Sequence, residues 1–119
     1  MGVTYVEVVV KKSARSARKE VVKCLVDSGA TYSVIPATIL KKLHIRPDTK
    51  EAFLLADGDR IERDLGMAYF EFQGRLGASM VIFGQDGDAN LLAALTLESL
   101  GLMFDPLKRE LRQLPMLLV

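Results

Sequence analysis

The sequence is poor in the residues that build disulfides, metal sites and aromatic surfaces. Its 119 residues include one cysteine, Cys24, one histidine, His44, and no tryptophan. A single cysteine excludes a disulfide within the chain and is typical of a reducing compartment, so we expect a cytoplasmic location. One histidine cannot form a histidine-rich metal site, and no cofactor is predicted.

An excess of charge of one sign is also lacking. Sixteen Lys and Arg stand against fifteen Asp and Glu, which gives a net charge of +1. Nucleic-acid-binding proteins usually carry a strong basic excess, so a nucleic-acid partner is not expected. Six basic residues nevertheless cluster around one acid, Glu20 (Lys11, Lys12, Arg15, Arg18, Lys19 and Lys23). A solvated hairpin loop is the favoured interpretation, because no aromatic side chain there offers a stacking surface. A phosphate-binding patch remains the alternative.

Long hydrophobic runs are absent as well. Glu98 interrupts the longest apolar stretch, residues 91–104, so no segment has the length that crosses a bilayer. The first residues lack the charged segment and apolar core of a secretory signal. We therefore expect no membrane partner.

What the sequence does contain is a series of strand-like runs. Residues 3–10 and 21–26 are rich in β-branched side chains and predict an antiparallel hairpin. Asp57-Gly58 is a strong turn signal between strands predicted over residues 51–56 and 60–65. Further strands are predicted over residues 32–35, 67–72, 78–83, 102–104 and 110–112.

Two short helices complete the prediction. One begins with Pro36 as its first helical residue, and the other covers residues 93–100 and ends at Gly101, where a left-handed cap is favoured. The fold class is therefore mainly β with one or two short helices, and residues 1–119 are predicted to form one domain.

Asp27 is the most informative residue, because it directly follows a buried strand and opens a turn of small residues. An acid at such a position costs free energy unless it is used. The Gly29 amide can donate to its carboxylate, and Ser28 supplies a hydroxyl that can reach a neighbouring loop. The alternative is an Asx-turn, in which Asp27 caps the end of its own strand.

Two segments carry a resemblance to a known family. Residues 25–30, followed by Tyr32-Ser33-Val34-Ile35-Pro36, resemble the active-site loop and next strand of retropepsin-like aspartic proteases. Residues 90–102 are similar to the second landmark of that family, an apolar pair leading into a short helix that ends in glycine. Phe104-Asp105-Pro106 continues like the small microbial members. The region from the first landmark to the second, residues 25–106, covers most of the chain.

The resemblance implies a closed β-barrel, the half fold of acid proteases, assembled as a two-fold homodimer. It implies an aspartic endopeptidase that hydrolyses polypeptides with a water activated between two Asp27 carboxylates. Ser28 would make the reciprocal hydrogen bond between the two loops, and Gly29 and Ala30 would line the pair of acids. The hairpin of Ala56, Asp57, Gly58 and Asp59 would be the substrate-binding flap, with an ordinary surface hairpin as the alternative.

Two departures favour a second interpretation. Ala93 stands where the family usually has glycine, so its methyl group would press towards the back of the catalytic loop. Gly58 is the only glycine of the proposed flap. Both features are compatible with a catalytically weak or inactive retropepsin-like dimerisation or binding module.

A second copy of the chain is the expected partner. The sequence contains only one Asp-Ser/Thr-Gly triplet, so a site with two aspartates requires two chains. The apolar C-terminal residues 115–119 are predicted to pair with the termini of the partner, or alternatively to fold onto their own sheet. A nucleic-acid-associated protein that uses the basic loop is the third interpretation.

Overall fold

The computed structural model describes residues 3–115, which form nine β-strands and two short helices. In chain order these are β1 (Tyr5–Lys11), β2 (Lys19–Asp27), β3 (Ser33–Pro36), α1 (Ala37–Lys42), β4 (Thr49–Leu54), β5 (Arg60–Phe72), β6 (Arg75–Gly84), β7 (Leu91–Ala93), α2 (Ala94–Ser99), β8 (Leu102–Asp105) and β9 (Glu110–Gln113).

Six of the described strands close into a barrel in the order β1-β2-β7-β3-β6-β5 and back to β1. Pairing of β1 with β5, from Val9 opposite Glu71 to Lys11 opposite Tyr69, makes the closure. Strand β4 adds to the outer edge of β5, and β8 and β9 form a separate two-stranded sheet. The predicted mainly β fold, with a closed barrel and two short helices, is confirmed.

The hairpin of β1 and β2 supplies one wall of the core. Val8 lies opposite Val22 in the antiparallel register, and both are buried. Cys24 belongs to the same inward face, where burial raises the pKa of its thiol to about 12. The free cysteine therefore packs as a small hydrophobic residue and stays protonated at neutral pH.

Strand β5 differs from the sequence prediction, which divided it into residues 60–65 and 67–72. Gly66 lies inside one continuous strand of 13 residues. A Cβ atom at Gly66 would lie 2.9 Å from the carbonyl oxygen of Arg46 and 3.0 Å from the Phe83 ring. The glycine therefore permits close packing within the strand and does not end it.

The regions around both helices also differ from the prediction. Pro36 is the last residue of β3 and precedes α1, because its ψ of 132° is extended and not helical. Ala93 ends β7 and is not the first residue of α2. Gly101 has φ of +70°, which agrees with the predicted left-handed cap.

Neither of the two helices found within residues 3–115 has the length and apolar character needed to cross a membrane. Residues 116–119, which include most of the predicted dimerisation tail, lie outside the described residues.

Candidate active site

Asp27 is the last residue of β2, where the strand leaves the barrel wall. It is half-buried, and its neighbour in the parallel ladder is Ala93, the last residue of β7. The Gly29 amide donates to Oδ1 of Asp27 at 3.1 Å, and the Ala30 amide donates to the Asp27 carbonyl oxygen at 3.2 Å. Within the described residues no hydrogen bond or ion pair reaches Oδ2. The Asx-turn considered from the sequence is therefore present, and it leaves one carboxylate oxygen available.

The backbone of the loop after Asp27 is attached to the start of α2. The amide of Ala94 donates to the carbonyl oxygen of Ala30 at 2.9 Å, and that of Leu95 donates to the carbonyl oxygen of Thr31 at 3.2 Å. These contacts satisfy amides of the first helical turn, which have no partner inside the helix. The same contacts fix the position of the loop that carries Asp27.

A buried cluster of hydroxyl groups lies behind this loop. The Thr96 hydroxyl is 2.5 Å from that of Ser33 and 2.9 Å from that of Ser79. The Ala93 amide donates to the Ser33 hydroxyl at 2.9 Å. All three side chains are almost fully buried, so the cluster joins β3, β6, β7 and α2 without introducing a charge.

The tip of the loop faces outwards. Ser28 and Gly29 are exposed, and no described residue forms a hydrogen bond with the Ser28 hydroxyl. Ser28 borders an open hollow of about 430 Å³. Its other lining residues are largely apolar and come from α2, β8 and the segment after β9 (Ala94, Leu97, Glu98, Leu102, Met103, Phe104 and Leu114).

The residues predicted as the flap form the exposed turn between β4 and β5. Gly58 has φ of +93°, and the Asp59 amide donates to the Asp57 carboxylate at 2.9 Å. Ala56 belongs to this turn, because β4 ends at Leu54, two residues earlier than predicted. Near the turn of this hairpin, the Phe53 ring contacts the Tyr32 ring edge to face, with centroids 6.4 Å apart. The hairpin is thus attached to the loop that begins at Asp27.

An apolar groove runs between this hairpin and the barrel. Two adjoining hollows of about 490 and 390 Å³ share four lining residues (Val34, Phe53, Ile82 and Leu91). The sequence analysis did not identify these residues. Val34 is the register partner of both Ile82 and Leu91, and such long-range pairing cannot be read from local patterns.

An ion pair borders the same groove. Arg63 donates to both carboxylate oxygens of Asp88, at 2.7 and 2.9 Å, and the Gln85 amide donates to the same carboxylate at 2.8 Å. The Arg63 hydrogen bonds, followed by that of Gln85, hold the pKa of Asp88 below its usual value. The pair joins the start of β5 to the loop before β7.

The described part of the chain contains no group of three or more His, Cys, Asp or Glu side chains placed to hold a metal ion. The sequence matches no family model and no curated protein. The comparison of structures does give a match. The solution structure of the simian foamy virus (mac) protease aligns with a TM-score of 0.56 and 24% identity, over 80% of this chain and 92% of that one. This chain has the retropepsin-like fold.

Within this retropepsin-like fold, the predicted site residues fall into two groups. Asp27, Ser28, Gly29 and Ala30 form one continuous loop at the end of β2, and Ala56 to Asp59 form the turn of the hairpin across the groove. The contact between the Tyr32 and Phe53 rings connects the two groups.

Proposed function

We propose that the chain is an aspartic endopeptidase that acts as a homodimer, with Asp27 as the catalytic residue of each subunit. The main support for the proposal is the hydrogen bonding of the Asp27 carboxylate. One oxygen is oriented by the Gly29 amide, while the other has no partner among the described residues. Ala30, three residues further along the same loop, lines the apolar groove.

A two-fold axis at the tip of the loop would bring two Asp27 carboxylates together. Two like charges at about one hydrogen bond's distance cannot both ionise, so the pair shares one proton, as in aspartic proteases generally. The ionised carboxylate takes a proton from a water molecule, which attacks the peptide carbonyl carbon, while the protonated carboxylate donates to the carbonyl oxygen. Collapse of the tetrahedral intermediate transfers a proton to the leaving amine, and both titrations belong to the pair.

The exposed tip of the loop supports dimerisation. The Ser28 hydroxyl has no partner among the described residues of its own chain and can therefore donate across the axis to the other loop. Attachment of Ala30 and Thr31 to α2 would hold each loop in a fixed position against its partner. Dimer formation is thus the step that completes the site.

The groove supports a polypeptide in an extended conformation as the substrate. Its shared lining residues are apolar, so they suit hydrophobic side chains at alternate positions of an extended chain. The hairpin tip carries Leu54 and Leu55, which are exposed and suited to contacting the substrate from the other side. Closure of this hairpin would exclude water from the reacting bond.

The decisive experiment compares wild type with Asp27→Asn on an unstructured polypeptide at mildly acidic pH. Cleavage should disappear in the variant, while sedimentation shows an intact dimer. Asp86→Asn, at an exposed loop acid, is the matched control and should keep full activity. Equal cleavage by Asp27→Asn, or a wild-type protein that stays monomeric while it cleaves, would disprove the proposal.

A catalytically weak dimerisation or binding module is the second candidate. It is supported by Ala93, which is fully buried beside Asp27 at the position where the family usually has glycine. A statine-type inhibitor requires an assembled pair of acids. Its binding at one molecule per dimer would argue for the peptidase, and failure to bind, together with absence of cleavage, would argue for the module.

A further inference from the structure

A strongly basic surface forms at the end of the barrel remote from Asp27. It combines the β1–β2 loop with the end of α1, and we call it the basic face (Lys12, Arg15, Arg18, Lys19, Lys41, Lys42 and Arg46). The Arg18 guanidinium donates to the carbonyl oxygen of Lys42 at 3.2 Å and also contacts the His44 ring. These contacts bring together two segments that are more than 20 residues apart in sequence.

The charge of the basic face is not balanced locally. Residues 12–19 and 41–46 contain seven Lys and Arg and no Asp or Glu. The rest of the chain has nine Lys and Arg against fifteen Asp and Glu, a net charge of −6. All seven side chains are exposed, and none forms an ion pair with an acid of residues 3–115. A nearly neutral protein therefore concentrates seven positive charges in two short segments, bordered by only two acids, Glu20 and Asp48.

The chemistry of the basic face indicates the kind of partner. Its exposed residues include no large hydrophobic or aromatic side chain, because Leu43 and Ile45 are buried. Stable attachment to a membrane surface or a protein partner usually needs such anchors in addition to charge, whereas a phosphate backbone needs only hydrogen-bond donors and positive charge. A shallow hollow of about 340 Å³ between the two segments, bordered by Lys12, Arg18 and His44, offers a place for one phosphate group.

We propose that the basic face binds the phosphate backbone of a nucleic acid without reading its sequence. Because the basic face exposes no aromatic side chain on which bases could stack, binding would depend on contacts to the phosphate groups. Strand β2 separates Lys19 from Asp27 by eight residue steps, or about 26 Å of extended chain. A dimer formed at the Asp27 loop would therefore leave the basic face open, and the proposal does not depend on peptidase activity.

The test is fluorescence anisotropy of a labelled 20-base-pair DNA duplex and an RNA duplex of the same length, with the full chain. Neutralising about five phosphates predicts a dissociation constant about 500-fold weaker at 200 mM than at 50 mM salt. Lys12→Glu/Lys41→Glu should bind about tenfold or more weakly at 50 mM salt, with a reduced salt dependence.

The matched control is Lys50→Glu/Lys108→Glu, which changes the net charge equally at exposed positions outside the basic face. It should bind within about threefold of wild type. Arg15→Glu/Lys42→Glu repeats the test at separate positions of the basic face, in case the first pair perturbs folding. Equal losses of affinity in the basic-face variants and in the control variant would overturn the proposal. Absence of binding by wild type at 50 mM salt would also overturn it. Tighter binding to polyglutamate or to phosphatidylserine vesicles than to either duplex would overturn it in favour of those partners.

Discussion

Asp27 and Ala93 are direct neighbours in the parallel ladder of β2 and β7, as the last register pair of the two strands. Ala93 is fully buried, and its amide is held by the Ser33 hydroxyl at 2.9 Å. The strand that presents Asp27 therefore lies against a backbone fixed from behind by the hydroxyl cluster. Any change at Ala93 therefore acts on the strand end that carries Asp27.

Ala93→Gly should raise kcat without changing KM, if the methyl group restricts the approach of the two loops. It should also lower the free energy of unfolding by about 1 to 2 kcal/mol, because a buried methyl is lost and the chain gains freedom when unfolded. Steady-state kinetics and urea denaturation measure the two effects. The control Ala94→Gly should lose stability without gaining kcat, and an unchanged kcat in Ala93→Gly would show that the methyl group is harmless.

Thr96→Val should destabilise the protein by about 1 to 3 kcal/mol, because it leaves the buried Ser33 hydroxyl without its side-chain partner. The substitution keeps the shape of the side chain and removes only the hydroxyl group. Thr49→Val makes the same change at an exposed strand position and should stay within about 0.5 kcal/mol of wild type. Similar urea midpoints for the two variants would contradict a structural role for the cluster.

Gly77→Ala should lower the free energy of unfolding by about 1 to 3 kcal/mol, because β6 passes very close to the end of α2. A Cβ atom at this position would lie 2.5 Å from both the carbonyl oxygen and the hydroxyl of Ser99. Ser99→Ala removes the hydroxyl but leaves the backbone contact in place. The double variant Gly77→Ala/Ser99→Ala should therefore not regain the stability of wild type. Full recovery in thermal unfolding would mean that the side chain alone causes the conflict.

Asp88→Asn should lower the free energy of unfolding by about 1 kcal/mol at neutral pH. The substitution breaks an ion pair that has two hydrogen bonds and is only partly exposed. The pKa of Asp88 is lowered in the folded state, so its contribution is present above the ordinary aspartate pKa and is lost as pH falls through the folded value. The difference in stability between wild type and Asp88→Asn should therefore disappear at acid pH.

The matched comparison for Asp88 is Asp64→Asn, which removes a more exposed ion pair whose charged atoms are 4.0 Å apart. Asp64→Asn should change the free energy of unfolding by no more than about 0.5 kcal/mol. Urea denaturation between pH 7 and pH 3 distinguishes the two variants, and a constant difference between Asp88→Asn and wild type over this range would refute the assignment.

Local patterns predicted most of the barrel strands but not their boundaries. The β-branched runs gave the β1–β2 hairpin, and Asp57-Gly58 gave the turn between β4 and β5. Strand β7 was missed, because three apolar residues before a helix carry no period that separates strand from helix. The division of β5 at Gly66 was wrong, because the need for that glycine comes from distant residues.

The sequence by itself determined the fold class and the position of the one acid that follows a buried strand, since both depend on residues adjacent in the chain. Only the tertiary structure decided what surrounds that acid. The groove, the hydroxyl cluster and the pair of Arg63 with Asp88 each join residues from separate strands. The basic face likewise combines two segments that are distant in sequence, which meet where Arg18 contacts Lys42. Such contacts are set by long-range register and packing, which no short stretch of sequence encodes.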